Sequence, residues 1–228
     1  MGEWCQAHFS NEVIVISRVI ASILNDNYGR NNTNLIFNGV PIPQKSSKLD
    51  YITSLGLQPK KYVLALGRFV EEKGFHHLIE AWKNVANKDG YKLVIAGDAD
   101  HEDDYSRRLK ALAHENDAIL TGFIKGEKLN EILTNAGLFV LPSSHEGLPI
   151  SLLEAMSYNV DSLVSDIPAN KIPSLSETDF FHCGDIDDLT KALQRKIDTL
   201  QINRVYDLTP YNWDTIAQQT LDVYRKVK

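Results

Sequence analysis

The sequence predicts an α/β fold in which a parallel sheet carries helices on both faces, and three observations lead there. Short apolar runs alternate along the chain with segments whose apolar residues recur at helical spacing, the order that builds strand, crossover and parallel strand. The runs Tyr62-Val63-Leu64-Ala65-Leu66 and Leu138-Phe139-Val140-Leu141 are apolar throughout, as buried strands are. Each leads into a glycine-bearing loop and then a helical pattern, which gathers polar residues at the carboxyl ends of the strands, where Rossmann-like sheets bind ligands.

In chain order, strands are predicted near Val13 to Ser17, Leu35 to Asn38, Tyr62 to Gly67, Leu93 to Gly97, Ala118 to Thr121, Leu138 to Leu141, Ser162 to Ser165 and Phe180 to Cys183. After Gly74, the residues Phe75, Leu78, Ile79, Trp82 and Val85 recur at helical spacing. The acidic residues before Tyr105 to His114 suit a helix N-terminus, where negative charge meets the positive end of the backbone dipole. Pro149 suits a first helical turn, because its missing N–H would be unpaired there anyway. At the end of the chain Trp213, Ile216, Ala217, Thr220, Leu221, Tyr224 and Val227 form one apolar helical face. That face needs a surface to pack on, and left as an exposed patch it would favour self-association. Pro41, Pro43 and the polar run through Ser47 and Lys48 mark a break between two units.

Two loops carry the chemistry. In Ser143-Ser144-His145-Glu146-Gly147-Leu148-Pro149-Ile150-Ser151-Leu152-Leu153-Glu154, two glutamates flank a helix start. Backbone N–H groups there are unsatisfied and partly positive, so a diphosphate can sit on them, and Gly147 lets the backbone approach closely. Glu146 and Glu154 can then accept hydrogen bonds from hydroxyls on either side of it; alternatively both are ordinary surface or first-turn acids. In Gly67-Arg68-Phe69-Val70-Glu71-Glu72-Lys73-Gly74, two cations can bridge phosphate oxygens, each charge-assisted hydrogen bond contributing about 1.5–3 kcal/mol. The other reading pairs Lys73 with Glu71 or Glu72 on a solvated loop, for about 0–1 kcal/mol.

The 228 residues are 43% hydrophobic and 24% charged, which fits one large domain or two small ones. A net charge of −6 argues against wholesale binding of nucleic acid or an anionic membrane. No run approaches about 20 apolar residues, and Met1 to Asn11 has no signal-peptide core, so a cytoplasmic chain without a spanning helix is expected. Cys5 and Cys183 lack metal-site spacing and are read as reduced thiols. The run Asp98 to Asp104 has neither the glycine turn nor the distal glutamate of a calcium loop, and reads as a solvated loop and helix start. His145 can contact a ligand beside Glu146, whereas His76, His77, His101, His114 and His182 show no partner spacing.

Five elements occur in a familiar order: Asn38-Gly39-Val40, the loop from Gly67 to Gly74, Ile95-Ala96-Gly97-Asp98, Thr121-Gly122-Phe123-Ile124, and Glu146 through Glu154. With them the chain resembles the carboxyl-terminal half of retaining GT-B glycosyltransferases of glycosyltransferase family 4. The segments Leu163 to Asn170 and Tyr211-Asn212-Trp213 resemble the family's next loop and the start of its closing helix. Because that helix crosses back to the amino-terminal domain in the family, the resemblance implies that its apolar face covers Val19, Ile20, Ile23 and Leu24. The resemblance implies that Arg68 and Lys73, with Gly67 in their loop, hold the donor diphosphate. It implies that Gly147, Leu148, Pro149 and Ile150 lend backbone contacts, that Glu146 meets sugar hydroxyls and Glu154 the ribose, and that Phe123 and Ile124 line the base pocket. Many members read Glu-Gly-Phe-Gly at Glu146-Gly147-Leu148-Pro149, so Pro149 removes one amide donor.

The expected function is therefore the donor-binding half of a hexosyltransferase that uses a UDP- or GDP-sugar with retention, in polysaccharide or glycoconjugate synthesis. Glu146, Arg68 and Lys73 are the expected catalytic residues, acting electrostatically without metal or cofactor. Residues 1–34 are read as the tail of the acceptor domain, 35–210 as the donor domain and 211–228 as the closing helix. An acceptor glycan or lipid-linked glycan would bind the other domain, so this chain alone is expected to be inactive, and the full-length enzyme can lie peripherally on the inner membrane. The alternatives are a non-catalytic nucleotide-sugar-binding module that needs a second polypeptide, and a sugar-nucleotide epimerase of GT-B build. A dinucleotide dehydrogenase ranks last because no Gly-x-Gly-x-x-Gly loop follows an early strand.

Overall fold

The computed structural model describes residues 2–227, with side chains from residue 4 onward. Met1 and Lys228, the outermost residues of the first and last predicted units, lie outside the described residues. The elements are α1 (Gly2–Phe9), β1 (Ile14–Val15), α2 (Arg18–Tyr28), β2 (Asn34–Leu35), α3 (Asp50–Ser54), β3 (Tyr62–Leu66), α4 (Phe75–Asn84), β4 (Lys92–Ala96) and α5 (Asp104–Glu115). They continue with β5 (Ile119–Leu120), α6 (Glu127–Asn135), β6 (Leu138–Leu141), α7 (Ile150–Ser157), β7 (Asp161–Ser165), β8 (Phe180–Phe181), α8 (Ile186–Asp198) and α9 (Trp213–Lys226).

Six strands form one parallel sheet in the order β5-β4-β3-β6-β7-β8. Strands alternate their side chains between faces, and both faces are apolar here. Val63, Ala65, Leu93, Ile95, Leu138 and Val140 pack with residues of α4, α5 and α8 on one side. Tyr62, Leu64, Val94, Ala96, Phe139 and Leu141 pack with residues of α3, α6 and α7 on the other. The predicted α/β fold with helices on both faces is the one observed.

All eight predicted strands are present, several of them shorter. Ser17 leaves the first strand to cap α2, its hydroxyl accepting from the Ile20 amide at 3.2 Å. Helix α1 had no counterpart in the sequence pattern. β1 and β2 pair only with each other in a separate two-stranded sheet, which joins residues on either side of position 34.

Helix α9 starts where expected, with the Asn212 side chain accepting from the Asp214 and Thr215 amides. Its packing differs from expectation. Ile216 and Val223 bury themselves with Ile36, and the Trp213 ring lies where a Cβ on Gly39 would be, 2.5 Å away. None of the described residues of α2 is fully buried, and Ile23, Trp213, Leu221 and Tyr224 stay exposed. The α9 face therefore does not seal over α2, because Ile36, the residue after β2, takes its buried residues instead.

Candidate functional site

After β3 the chain builds the sheet to one side through β4 and β5, and then returns to place β6 on the other side of β3. The loops leaving β3 and β6 thus diverge at the switch in strand order, where an open α/β sheet has its crevice. They are also laced together. Gly74 has φ +66, and a Cβ there would stand 2.3 Å from the Pro142 carbonyl oxygen. The Ser144 amide donates to the Glu72 carbonyl at 2.8 Å.

The strongest tie is ionic. Lys73 Nζ lies 2.6 Å from Glu146 Oε1, with the two side chains only 17% and 8% exposed. The Ser143 hydroxyl donates to the same oxygen at 2.8 Å. Lys73 thus pairs across the switch point with a residue 73 positions away, and not with its loop neighbours Glu71 or Glu72. A buried pair of this kind has charges that are costly to leave unmatched, so the two residues hold each other in position.

Beside this pair lies a cavity of about 500 Å³ lined by Gly67, Arg68, Phe123, Ile124 and Glu154, together with Asp98, Asp100 and Lys125. The Lys73 stem passes along it, since a Cβ on Gly67 would be 3.8 Å from Lys73 Cδ. Gly97 closes the floor at φ +138, where a Cβ would lie 1.8 Å from the Gly67 carbonyl oxygen. Glu154 reaches in from α7. Its half-buried carboxylate has no hydrogen-bond partner among the described residues, and burial pushes its pKa up. Phe123 stands exposed in the lining. Arg68 is held on the surface by Asp100, Nη1 to Oδ2 2.9 Å.

The remaining predicted residues surround the start of α7. Pro149 is the residue just before the helix, at φ −78 and ψ 77, one position earlier than its expected place in the first turn. The Ile150 amide donates to the Leu148 carbonyl at 2.9 Å and so is already engaged. With no amide on Pro149, the spare donors of the segment are the Gly147 and Leu148 amides, which have no partner among the described residues. Gly147 and Leu148 line a second cavity. The eleven predicted residues therefore divide: five line the first cavity, Lys73 and Glu146 brace its edge, Pro149 and Ile150 shape the turn, and Gly147 and Leu148 face elsewhere.

The acidic run is engaged within the fold. Asp103 caps α5 through the Ser106 amide at 2.7 Å, Asp98 pairs with Lys110 at 3.0 Å, and Asp104 pairs with Arg107. Among the described residues no group of acids, histidines and cysteines is arranged to hold a metal ion. Two histidines have partners that local spacing did not reveal. His76 Nδ1 lies 3.0 Å from the Tyr105 hydroxyl, and His182 Nδ1 lies 2.8 Å from Asp166 Oδ2. The second pair follows from register, because Ser165 is paired with Phe181 and the next residue on each strand leaves the sheet together. The Cys183 amide and then His182 hold the Asp166 carboxyl below its usual range, and Asp166 raises the His182 pKa.

This architecture, with its crevice at the switch between β3 and β6, is that of the carboxyl-terminal Rossmann-like half of a GT-B fold. The structure is similar to that of Anabaena Alr3699/HepE in complex with UDP and glucose, with a TM-score of 0.84 and 20% identity over 97% of this chain and 65% of that one. Residues 49–198 match the family of glycosyl transferases group 1, and the chain belongs to that family. It is 26% identical over 246 residues to the uncharacterized glycosyltransferase MJ1607 of Methanocaldococcus jannaschii, covering 98% of this chain and 62% of the relative. It is 27% identical over 157 residues to the amylovoran biosynthesis glycosyltransferase AmsD of Erwinia amylovora, covering 69% of this chain and 44% of the relative. The chain thus spans under two thirds of the length of these relatives. No helix among the described residues is long and apolar enough to cross a membrane.

Proposed function

We infer that the chain is the donor-binding half of a retaining hexosyltransferase of glycosyltransferase family 4, acting on a nucleotide-diphosphate sugar. The observation that carries this is the cavity at the switch point, where the unpartnered Glu154 carboxylate faces the space beside the Lys73–Glu146 pair. Glu154 accepts the ribose hydroxyls, and Phe123 and Ile124 contact the base. Arg68 and Lys73 hold the diphosphate, and Glu146 orients the sugar. As the glycosidic bond to the nucleotide breaks, negative charge grows on the diphosphate oxygens. Lys73, already fixed in place by Glu146, stabilises that charge without reorganising.

UDP is the first candidate nucleotide, supported by the UDP complex of the similar HepE structure. A role in polysaccharide synthesis is supported by the amylovoran relative. In this reading residues 35–210 form the donor unit, residues 1–34 and the closing helix belong beside an acceptor unit, and the chain alone binds donor but transfers little. Calorimetric titration with UDP, GDP and ADP tests it. One nucleotide is expected to bind, and Arg68→Ala with Lys73→Ala is expected to abolish that binding. Nucleotide binding that survives the double substitution would overturn the site assignment.

A further inference from the structure

The donor reading leaves the second cavity unused. It measures about 310 Å³ and is walled by parts far apart in sequence: Arg18 at the start of α2, Phe37, Leu148, Lys171 and Ile172 in the loop after β7, and Tyr211 before α9. It lies on the other side of the loop that carries Glu146. Glu146 turns to Lys73, while the next two residues line this second space, and a Cβ on Gly147 would come within 3.9 Å of Ile20 Cδ1 in α2.

The lining is mostly apolar, yet two cations belong to it. Neither the Arg18 guanidinium nor the Lys171 ammonium has an ion-pair or hydrogen-bond partner among the described residues, whereas Arg68, Lys73 and Lys110 on the donor side are paired. Asp207 is the acid among the lining residues, and its carboxylate is turned onto the Thr209 amide at 3.0 Å. Two unpaired cations from different elements, set against one engaged acid, suit an anion with several oxygens. Phe37, Leu148, Ile172 and Tyr211 suit an apolar body attached to it.

We propose that this cavity binds an apolar phosphate ester, with Arg18 and Lys171 on the phosphate and the apolar walls on the adjoining hydrocarbon. Its identification as the acceptor's anchoring group rests on the transferase reading; the binding site itself does not. The cavity meets the loop that carries Glu146, so in the transferase reading a ligand anchored here extends toward the sugar that Glu146 orients.

The test is titration of the whole chain with geranyl phosphate, geraniol and inorganic phosphate, in parallel with UDP, while the methyl signals of Leu148 and Ile172 are followed by NMR. Geranyl phosphate is expected to bind at least tenfold more tightly than geraniol or inorganic phosphate and to shift both methyl signals. Arg18→Gln with Lys171→Gln is expected to weaken it at least tenfold and to leave UDP binding unchanged. Both side chains are exposed, so an unchanged melting temperature verifies that the variant folds. The proposal is overturned if geranyl phosphate fails to bind, binds no better than geraniol, shifts signals elsewhere only, or binds the double variant as well as the parent. If UDP fails while the geranyl phosphate results hold, the donor reading falls and this site stands. The converse removes this site alone.

Discussion

Replacing Glu154 tests the donor cavity most directly, because its effects on binding and on folding have opposite signs. The carboxylate is half-buried, has no partner among the described residues, and has a pKa raised by burial. Hydroxyls of a bound ribose would supply the missing donors. A hydrogen bond to a charged group contributes about 1.5–3 kcal/mol, so Glu154→Ala should weaken UDP binding by roughly ten- to 150-fold. Pyrophosphate has no ribose and should be affected little. Bound hydroxyls favour the ionised carboxylate, so UDP affinity in the parent should rise with pH through the raised pKa of the free protein. Folding runs the other way. A carboxyl whose folded pKa exceeds its unfolded value contributes stability below the unfolded pKa that is lost as pH rises through the folded one. Glu154→Gln should therefore raise the melting temperature near neutral pH and flatten its dependence on pH in that window. Calorimetry with UDP and pyrophosphate, together with thermal melts across pH 3 to about 8, would measure both. Equal losses for the two ligands would remove the ribose assignment, and an unchanged or lower melting temperature for Glu154→Gln would refute the burial argument.

Three further predictions concern other parts of the molecule. Asp100→Asn releases Arg68 from its surface pair and should tighten nucleoside diphosphate binding about two- to fivefold at low salt, less at high salt, measured by calorimetry. Lys196 and Arg204 jointly hold the fully buried Asp161 and Asp179 at 2.6–3.2 Å. Lys196→Met leaves two carboxylates to one cation and should cost about 3–5 kcal/mol at pH 7 in denaturant melts. Burial alone would raise the Asp179 carboxyl, but Arg204 and Lys196 outweigh it and hold the group well below the usual range. Its contribution is therefore present above about pH 4 and lost as pH falls through the depressed value, so the gap between parent and variant should narrow in acid. Gly97→Ala sets a methyl against the Gly67 carbonyl and should cost about 3 kcal/mol while weakening UDP binding, because the β3 loop must move.

The amino-acid order alone determined the alternation of strands and helices, the burial of β3 and β6 on both faces, and the loops at their carboxyl ends. These depend on local periodicity, on Gly74 and Gly97 at backbone angles that other residues avoid, and on caps such as Asn212, all of which act within a few residues. The tertiary structure decided which strands are neighbours. Only the adjacency of β3 and β6 sets Lys73 against Glu146, only β7 beside β8 joins His182 to Asp166, and only the folded edge of the sheet collects Asp161, Asp179, Lys196 and Arg204. Charges have no period along a chain, so Lys73 reads as a partner of a phosphate or of its neighbours Glu71 and Glu72, and only folding sets it 2.6 Å from Glu146.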